Sequence, residues 1–291
     1  MQNVSGFLLI DKPLHYTSFD VIRDVRKYFQ IKKVGHTGTL DPLATGLMCI
    51  GIGQATRFLE FHVGHTKEYI AEITFGAVSE TYDAEGPVCV SENKKQIIKG
   101  DIEAVLDMFR GEIEQIPPKY SALKINGQKL CNLVRAGKEV DVSIKKRKVT
   151  LFKNEILEFD EESQKLKLCI SCSSGTYIRS IAHDLGQVLE CGAYLSALQR
   201  TKIDDFCLEN AHKLSDLKKD FLLPFESGLD FPVLQIHAEQ SKQLHYGQVL
   251  ETSEFSVKFT EQYYQVFLDE EFHGVVEYKK GRVYPKKMTL V

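Results

Sequence analysis

Residues 32–53 read KKVGHTGTLDPLATGLMCIGIG, the most distinctive stretch of the chain. Its first part, residues 35–46, contains three glycines and one proline, a composition that disfavours any regular element and predicts a loop. Its second part, residues 47–53, is apolar and predicts a buried strand. The predicted loop carries polar side chains that could all face one ligand: His36, Thr37, Thr39, Asp41 and Thr45.

Asp41 is the candidate acid of this loop. It directly precedes Pro42, and a residue before proline is biased toward an extended backbone, which restricts where the Asp41 carboxylate points. The alternative is that Asp41 only caps a turn, as aspartate often does. The amount of glycine and proline around this one acid favours a functional role.

The segments on either side of the loop show regular apolar periodicity. Thr17 followed by Asp20 predicts a capped helix start, and apolar residues at helical spacing extend that helix to about residue 29. In residues 67–75, apolar and polar side chains alternate, which predicts a half-buried strand. Tyr69 lies near one end of its apolar face.

A second polar cluster, SSGTYIR, occupies residues 173–179. Gly175 permits a sharp turn from a strand into a helix near residues 177–190, so Tyr177 and Arg179 are expected in its first turn. An arginine there could pair with a carboxylate from another loop and keep it ionised. The alternative is a surface arginine and a packing tyrosine.

The last part of the chain has a different pattern. From about residue 231, short alternating segments are separated by glycines, which predicts a small β-rich module; those glycines are Gly247, Gly274 and Gly281. The expected fold class is α+β, a mixed sheet with helices plus this module. The expected domains are residues 1–230 and 231–291.

Composition limits the class of protein. The chain has 291 residues, of which 43% are hydrophobic, so it can bury a sizeable core. No apolar run reaches the ~18 to 20 residues of a membrane span, and the first residues do not resemble a signal peptide. Seven scattered cysteines, an odd number, favour a reducing compartment. We therefore expect a cytoplasmic protein without membrane contact.

Positive charge is concentrated in one segment. Residues 117–153 contain ten Lys and Arg against two acidic residues, a local net charge of +8, whereas the whole chain carries −3. Such a segment could bind a polyanion, or could be a solvated basic loop. Its cations are Lys119, Lys124, Lys129, Arg135, Lys138, Lys145, Lys146, Arg147, Lys148 and Lys153.

Three motif-like patterns do not predict a metal or cofactor. Cys169 and Cys172 have the spacing of half a zinc site, but they belong to a segment that alternates like a core strand. His62 and His65 lack the glutamate of a metalloprotease motif. Residues 51–56 imitate a dinucleotide-binding fingerprint without its third small residue.

Five segments together resemble one family. In order along the chain they are GFLLIDKP, KKVGHTGTLDPLATGL, KEYIAEITFG, FRGEIEQIPPKYSALKINGQKL and SSGTYIRSIAHDLG. At these separations they resemble the bacterial tRNA pseudouridine synthase B family, strongly over residues 6–205 and more weakly beyond. The resemblance implies the pseudouridine synthase fold, with a largely antiparallel sheet, and a C-terminal PUA-like RNA-binding module. The implied activity is isomerisation of uridine 55 in the T-loop of tRNA to pseudouridine.

The resemblance also implies roles for individual residues. Asp41, in TLDP, matches the essential aspartate of the family, and Arg179, in GTYIR, matches the arginine paired with it. Tyr69, in KEY, matches the tyrosine that stacks on the target base and is the favoured proton acceptor.

Four further positions match substrate-binding residues. His36 matches a histidine that helps hold the flipped nucleotides, and Tyr177 and Leu198 match residues that line the pocket. Lys12, in DKP, matches a lysine near the active site. The chain departs from the family at Leu14-His15 and at Gln199, away from the acid.

The resemblance further implies the partners. The expected partner is the T-arm and elbow of tRNA, and no cofactor, metal or obligatory protein partner is expected; a monomer is expected. Two other functions stay open. One is an RNA-binding or tRNA-folding chaperone that does not need Asp41, and the other is a nucleoside hydrolase or base glycosylase, which would release free uracil.

Overall fold

The computed structural model describes residues 4–64, 66–93, 95–121, 123–125, 127–137 and 140–290. The strands are β1 (Gly6–Lys12), β2 (Val34–His36), β3 (Ala44–Ile52), β4 (Lys67–Phe75), β5 (Ala77–Ser79), β6 (Val88–Val90), β7 (Gly111–Gln115), β8 (Lys124–Ile125), β9 (Gln128–Lys129), β10 (Arg147–Asp160), β11 (Lys165–Cys172), β12 (Ala193–Ile203), β13 (Phe206–Cys207), β14 (His212–Lys213), β15 (Val233–Gln235), β16 (Leu250–Glu251), β17 (Tyr263–Leu268), β18 (Glu271–Lys279) and β19 (Arg282–Met288). The helices are α1 (Ser18–Phe29), α2 (Glu60–Val63), α3 (Lys99–Leu106), α4 (Leu130–Arg135), α5 (Ile178–Val188) and α6 (Ala238–His245).

A ten-stranded sheet forms the main body. Its order is β14-β1-β3-β12-β4-β11-β10-β7, with β13 paired to β12 and β2 paired to β3. The β1–β14 and β3–β12 pairs are parallel and the other pairs are antiparallel. The sheet is therefore mixed and largely antiparallel, as predicted. A second sheet, in the order β15-β17-β18-β19-β16, forms the C-terminal module.

Both faces of the main sheet are covered. On one face, the apolar sides of α1 and α5 join the strands in one buried core that includes Val21, Val25 and Leu185. On the other face, Phe7 and Phe58 pack with Phe272 and Val275 of the C-terminal module in a second core. Burying each such side chain stabilises the fold by about 1.5–3 kcal/mol. The central strands therefore lie between two apolar layers, and the site lies at their ends.

Two local predictions are confirmed. Thr17 caps α1, because its hydroxyl accepts a hydrogen bond from the Asp20 backbone N–H at 3.1 Å, while the Asp20 carboxylate accepts one from the Thr17 N–H at 3.0 Å. In β4, residues 67, 69, 71, 73 and 75 are buried and the residues between them are partly exposed, which is the predicted alternation.

The predicted loop at residues 35–46 is shorter than expected. Strand β2 continues through His36 and β3 begins at Ala44, so the irregular segment is 37–43. The glycines misled the prediction because Gly46 serves close packing inside a strand. A Cβ at Gly46 would lie 2.3 Å from the Arg200 carbonyl oxygen on β12.

The C-terminal module also differs in two details. Gly274 does not separate strands, as was expected, but lies inside β18. The module also contains the helix α6, which the alternating pattern did not predict. Within the described residues, no helix has both the length and the apolar character needed to cross a membrane.

Candidate active site

A cavity of about 700 Å³ opens where segment 37–43 meets the ends of several strands and the start of α5. Seven of the predicted residues line it: Thr37, Thr39, Asp41, Tyr69, Tyr177, Arg179 and Leu198. They come from segment 37–43, β4, the start of α5 and β12. Three others, His36, Thr45 and Lys12, are not among the described residues that line the cavity.

Arg179 is the central cation of the site. Only 7% of its side chain is exposed, and its Nη2 lies 3.0 Å from Oδ2 of Asp41. The guanidinium also donates hydrogen bonds to the carbonyl oxygens of Thr81 and Tyr120, each at 3.2 Å. The predicted pairing of the cluster at 173–179 with the acid of the other loop is thus present in the structure.

Asp83 is a second carboxylate that the sequence analysis missed. It is fully buried, and its Oδ2 lies 3.2 Å from Nη1 of Arg179. Its Oδ1 accepts hydrogen bonds from the Thr81 hydroxyl at 2.6 Å and from the Glu85 N–H at 3.0 Å. Arg179 therefore bridges two carboxylates. The closely spaced acidic residues Glu80, Asp83 and Glu85 were the available signal in the sequence.

Lys12 is hydrogen-bonded to the backbone of segment 37–43 and of the loop after β1. This lysine is fully buried, and its Nζ donates to the carbonyl oxygens of Pro13 at 2.9 Å, Tyr16 at 2.5 Å and Pro42 at 3.4 Å. Burial lowers the pKa of Lys12 to about 8, although nearby carboxylates including Asp41 oppose the shift. Lys12 therefore supports the backbone next to Asp41.

Two other side chains fix the same segment. The Ser18 hydroxyl accepts from the Leu40 N–H at 2.8 Å and donates to the Leu40 carbonyl at 2.9 Å. The Glu85 carboxylate accepts from the Leu43 N–H at 2.8 Å. Helix α1 and the loop that carries Asp83 thus hold the segment around Asp41 from both sides.

The electrostatic environment of Asp41 combines opposing effects. Burial raises the pKa of its carboxyl group and Asp83 raises it further, while Arg179 and Lys12 lower it. The net direction is upward. The expected effect of Arg179 is therefore present, but burial outweighs it.

The raised pKa of Asp41 predicts where activity is lost at low pH, the acid limb of the pH profile. A reaction that needs the Asp41 carboxylate is lost as the pH falls through its pKa, so the loss should occur above the usual aspartate value of 3.8. The measurement is kcat/KM against pH. Asp184, whose pKa burial raises to about 6, is the control, and Asp184→Asn should leave the limb in place. A limb at or below 3.8, or one that moves with Asp184→Asn, would contradict the assignment.

Tyr69 is buried beside a second buried cation. Arg200 is only 1% exposed, and its Nε donates to the Leu47 carbonyl at 2.7 Å while Nη2 donates to the Gly38 carbonyl at 3.3 Å. Burial raises the pKa of Tyr69, and the charge and hydrogen bond of Arg200 oppose that rise. Sequence analysis did not single out Arg200, although it lines the cavity.

Three further predicted residues are Tyr177 and Leu198, which line the cavity, and His36. Tyr177 is the N-cap residue of α5, its ring lies 4.6 Å from the Arg147 guanidinium, and its N–H donates to Gln115 at 2.7 Å. Leu198 on β12 is 9% exposed. Burial, with Arg200, lowers the pKa of His36.

The basic segment divides into two groups in the structure. Lys146 pairs with Glu114, and Lys148 pairs with Glu112 at 2.7 Å. Arg147 instead lines the cavity. Lys138 lies outside the described residues. Part of the local charge of +8 is thus neutralised by glutamates on β7, a strand outside the segment.

In the part of the chain that the structure describes, no three His, Cys, Asp or Glu side chains are grouped so as to hold a metal ion. Cys169 and Cys172 are buried in β11, which fits the core strand predicted there.

The chain is similar in sequence to known pseudouridine synthases over most of its length. A family model described as TruB family pseudouridylate synthase (N terminal domain) matches residues 26–178, and one described as tRNA pseudouridylate synthase B C-terminal domain matches residues 179–230. A protein of Clostridioides difficile (strain 630) named tRNA pseudouridine synthase B is 45% identical over 215 residues, 74% of this chain and 71% of that protein. The protein of the same name from Francisella tularensis subsp. novicida (strain U112) is 39% identical over 297 residues, 98% of this chain and 95% of that protein.

Solved structures show the same fold at low identity. A chain in the structure of an H/ACA RNP bound to a substrate RNA containing 2'-deoxyuridine superposes with a TM-score of 0.73 at 20% identity, covering 98% of this chain and 85% of that chain. A chain in the archaeal box H/ACA sRNP Nop10-Cbf5 complex superposes with a TM-score of 0.71 at 21% identity, covering 98% and 86%.

The mixed sheet, its flanking helices and the β-rich C-terminal module are the pseudouridine synthase fold, with an aspartate–arginine pair in its cavity. The chain belongs to the TruB family of pseudouridylate synthases, which are isomerases.

Proposed function

We propose that this protein converts uridine 55 in the T-loop of tRNA to pseudouridine, with Asp41 as the essential acid. The observation that carries the proposal is the Asp41–Arg179 pair, 3.0 Å apart in the cavity of a pseudouridylate synthase family member. The similar proteins from Clostridioides and Francisella are named as tRNA enzymes, which supports tRNA as the substrate.

The charge of the cavity supports an RNA substrate. Among the described residues, its lining includes four cationic side chains, Lys67, Arg147, Arg179 and Arg200, and two acidic ones, Asp41 and Glu85. A cavity with excess positive charge attracts phosphates.

The chemistry requires an ionised carboxylate at the ribose of the target nucleotide. Isomerisation breaks the N1–C1′ bond, rotates the freed base and rejoins it to the ribose through C5. Asp41 faces the cavity and supplies that carboxylate, while Arg179 holds one of its oxygens and keeps the other available. Because the base must leave the RNA stack to reach Asp41, cavity contacts must offset an extrusion cost of a few kcal/mol.

The detached base must be confined while it rotates. Tyr69 and Leu198 form buried walls of the cavity and supply stacking and apolar contact. Tyr69 is also our candidate for removal of the C5 proton. Its raised pKa means that the resting phenol is neutral, and only the phenolate can accept the C5 proton. The adjacent charge of Arg200 favours that ionised form. His36, Tyr177 and Lys12 are proposed to position the flipped nucleotides and segment 37–43.

Tyr69→Phe separates stacking from proton transfer. The phenyl ring keeps the stacking surface, so we expect kcat to fall about 10²-fold through loss of the proton acceptor, with little change in RNA affinity. Tyr69→Leu should weaken binding as well. The measurement is single-turnover rate together with RNA affinity, and a Tyr69→Phe rate equal to wild type would remove the proton-transfer role.

Variants of Arg147 and Lys148 distinguish an RNA contact in the cavity from a charge at the surface. Arg147→Gln should weaken RNA binding and reduce the slope of log affinity against log salt by about one. Lys148→Gln should do less, because Glu112 already neutralises Lys148. The measurement is the affinity for a tRNA transcript over a salt series. Equal slopes for both variants and wild type would exclude Arg147 from the interface.

We further propose a division into a catalytic domain, 1–230, and a PUA-like RNA-binding module, 231–291. The second family match ends at residue 230, and the second sheet begins at Val233, which supports this boundary. The module would bind the T-arm or elbow together with the basic segment. A monomeric state and a cytoplasmic location stay predictions.

Tritium release tests the function. The purified protein is incubated, without added cofactor, with a tRNA transcript whose T-loop uridine carries tritium at C5. Release of tritium with the base retained in the RNA is the expected result. Tight binding without release would favour the RNA chaperone, and free uracil would favour a glycosylase.

A further inference from the structure

Tyr82 and His183 form a stacked pair next to the Arg179 network. Their ring centroids are 3.8 Å apart and their planes differ by 8°. His183 is on α5 four residues after Arg179, so the two side chains lie on the same side of the helix. Burial lowers the pKa of His183, which keeps its ring neutral at neutral pH.

The backbone of Tyr82 is in an unusual conformation. Its φ is +64°, a left-handed value that strains a residue with a side chain. Glycine is the ordinary residue at such a position. The chain instead places an aromatic ring there, and the stacked contact of that ring with His183 favours the strained backbone.

The residues that flank Tyr82 hold the catalytic arginine. Thr81 accepts a hydrogen bond from Arg179 through its carbonyl at 3.2 Å, and the Asp83 carboxylate lies 3.2 Å from the same guanidinium nitrogen. Glu85, two residues further on, accepts from the N–H of Leu43 at 2.8 Å. The position of segment 81–85 therefore affects both Arg179 and the segment that carries Asp41.

Strand β12 holds only one side of segment 81–85. The Leu195 N–H donates to the Tyr82 carbonyl at 3.0 Å, and the Ala84 N–H donates to the Leu195 carbonyl at 3.1 Å. These bonds fix the backbone against the sheet. The Tyr82 ring also joins the segment to α5, through its stack on His183, a contact separate from those of Arg179.

We propose that the Tyr82–His183 stack is a positioning contact for catalysis, which sets segment 81–85 on α5 and thereby aligns Arg179 with Asp41. This proposal rests on the proposed function and deepens it. Neither ring lines the cavity in the described residues, so the pair acts through Asp83 and Arg179 rather than on the RNA. Its loss should reduce turnover with little effect on substrate binding.

The test uses variants that delete or preserve the stack in the full-length protein. His183→Ala deletes it, and His183→Phe keeps a flat ring. Tyr82→Gly removes the ring while allowing the left-handed backbone, and Tyr82→Phe keeps the ring. The matched control is His212→Ala, because His212 stacks on Phe221 at 3.5 Å and neither residue lines the cavity in the described part of the chain.

The expected result is a split between kcat and KM. His183→Ala and Tyr82→Gly should lower kcat about tenfold with KM within about twofold, which corresponds to about 1.4 kcal/mol at the transition state. His183→Phe and Tyr82→Phe should stay near wild type, and His212→Ala should lower the melting temperature without lowering kcat.

Three results would overturn the proposal. One is wild-type kcat in His183→Ala, another is a loss that His183→Phe does not restore, and the third is an equal loss in His212→Ala. If the wild-type protein itself releases no tritium from the tRNA transcript, the proposed function fails instead, so the two failures are distinguishable.

Discussion

Asp41→Asn is expected to lower single-turnover tritium release by about 10⁴-fold or more. The amide has nearly the same shape as the carboxylate but no negative charge, so it cannot serve as the anionic group at the ribose. Arg179, which lies 3.0 Å from Oδ2 in the wild type, keeps a partner in Asp83. The variant should therefore fold and should retain most of its RNA affinity.

Two controls make this expectation sharp. Asp41→Ala should be equally inactive, since the charge and not the shape is required. Asp184→Asn removes a partly buried aspartate on α5, outside the cavity lining in the described residues, and should leave turnover near wild type. Turnover within tenfold of wild type in Asp41→Asn would refute the role of Asp41 as the essential acid.

Arg179→Met is expected to damage both activity and stability. It leaves the fully buried Asp83 and the half-exposed Asp41 without their shared cation. Removing one partner of a buried ion pair costs about 3–5 kcal/mol of unfolding free energy. Loss of the charge that orients and stabilises Asp41 should lower kcat about 10³-fold.

Loss of the Arg179 charge should also change the pH dependence of kcat/KM. Arg179 is the strongest influence that lowers the pKa of Asp41, so its removal should raise that pKa further. The acid limb of kcat/KM must then move to higher pH. Arg179→Lys keeps the charge and should move the limb less, which provides a test even if Arg179→Met unfolds.

A surface arginine is the matched control. Arg282 forms an exposed pair with Glu251 at 2.9 Å, with 54% and 55% of the two side chains exposed. Arg282→Met should change stability by less than about 1 kcal/mol, because exposed pairs contribute little. Unfolding in denaturant gives the comparison. Equal losses for the two arginines would show that burial of the pair has no special effect.

Several features of this protein follow from local sequence alone. The start of α1 at Thr17 and the alternation of β4 were predicted because a capping box and a period of two are local signals. Asp41, Tyr69 and Arg179 were identified because they belong to short segments that resemble the family. The predicted fold class is confirmed by the mixed main sheet, the β-rich C-terminal module and the structural neighbours.

Other features of the site depend on pairings between distant segments. Asp83 and Arg179 are 96 positions apart, and no local pattern indicates that one guanidinium bridges two carboxylates. Arg200 comes to the cavity because β12 pairs with both β3 and β4, pairings that no local pattern indicates. Gly46 was assigned to a loop because its need for space arises from the backbone of β12.

The start of α1, the alternation of β4 and the family were predictable from local sequence, which also indicated Asp41 as the candidate acid, because each depends on residues close together in the chain. Which charges surround Asp41, and in which direction its pKa moves, depends on how distant segments fold together. Burial and Coulomb interaction depend on distances in space, and chain folding alone sets those distances.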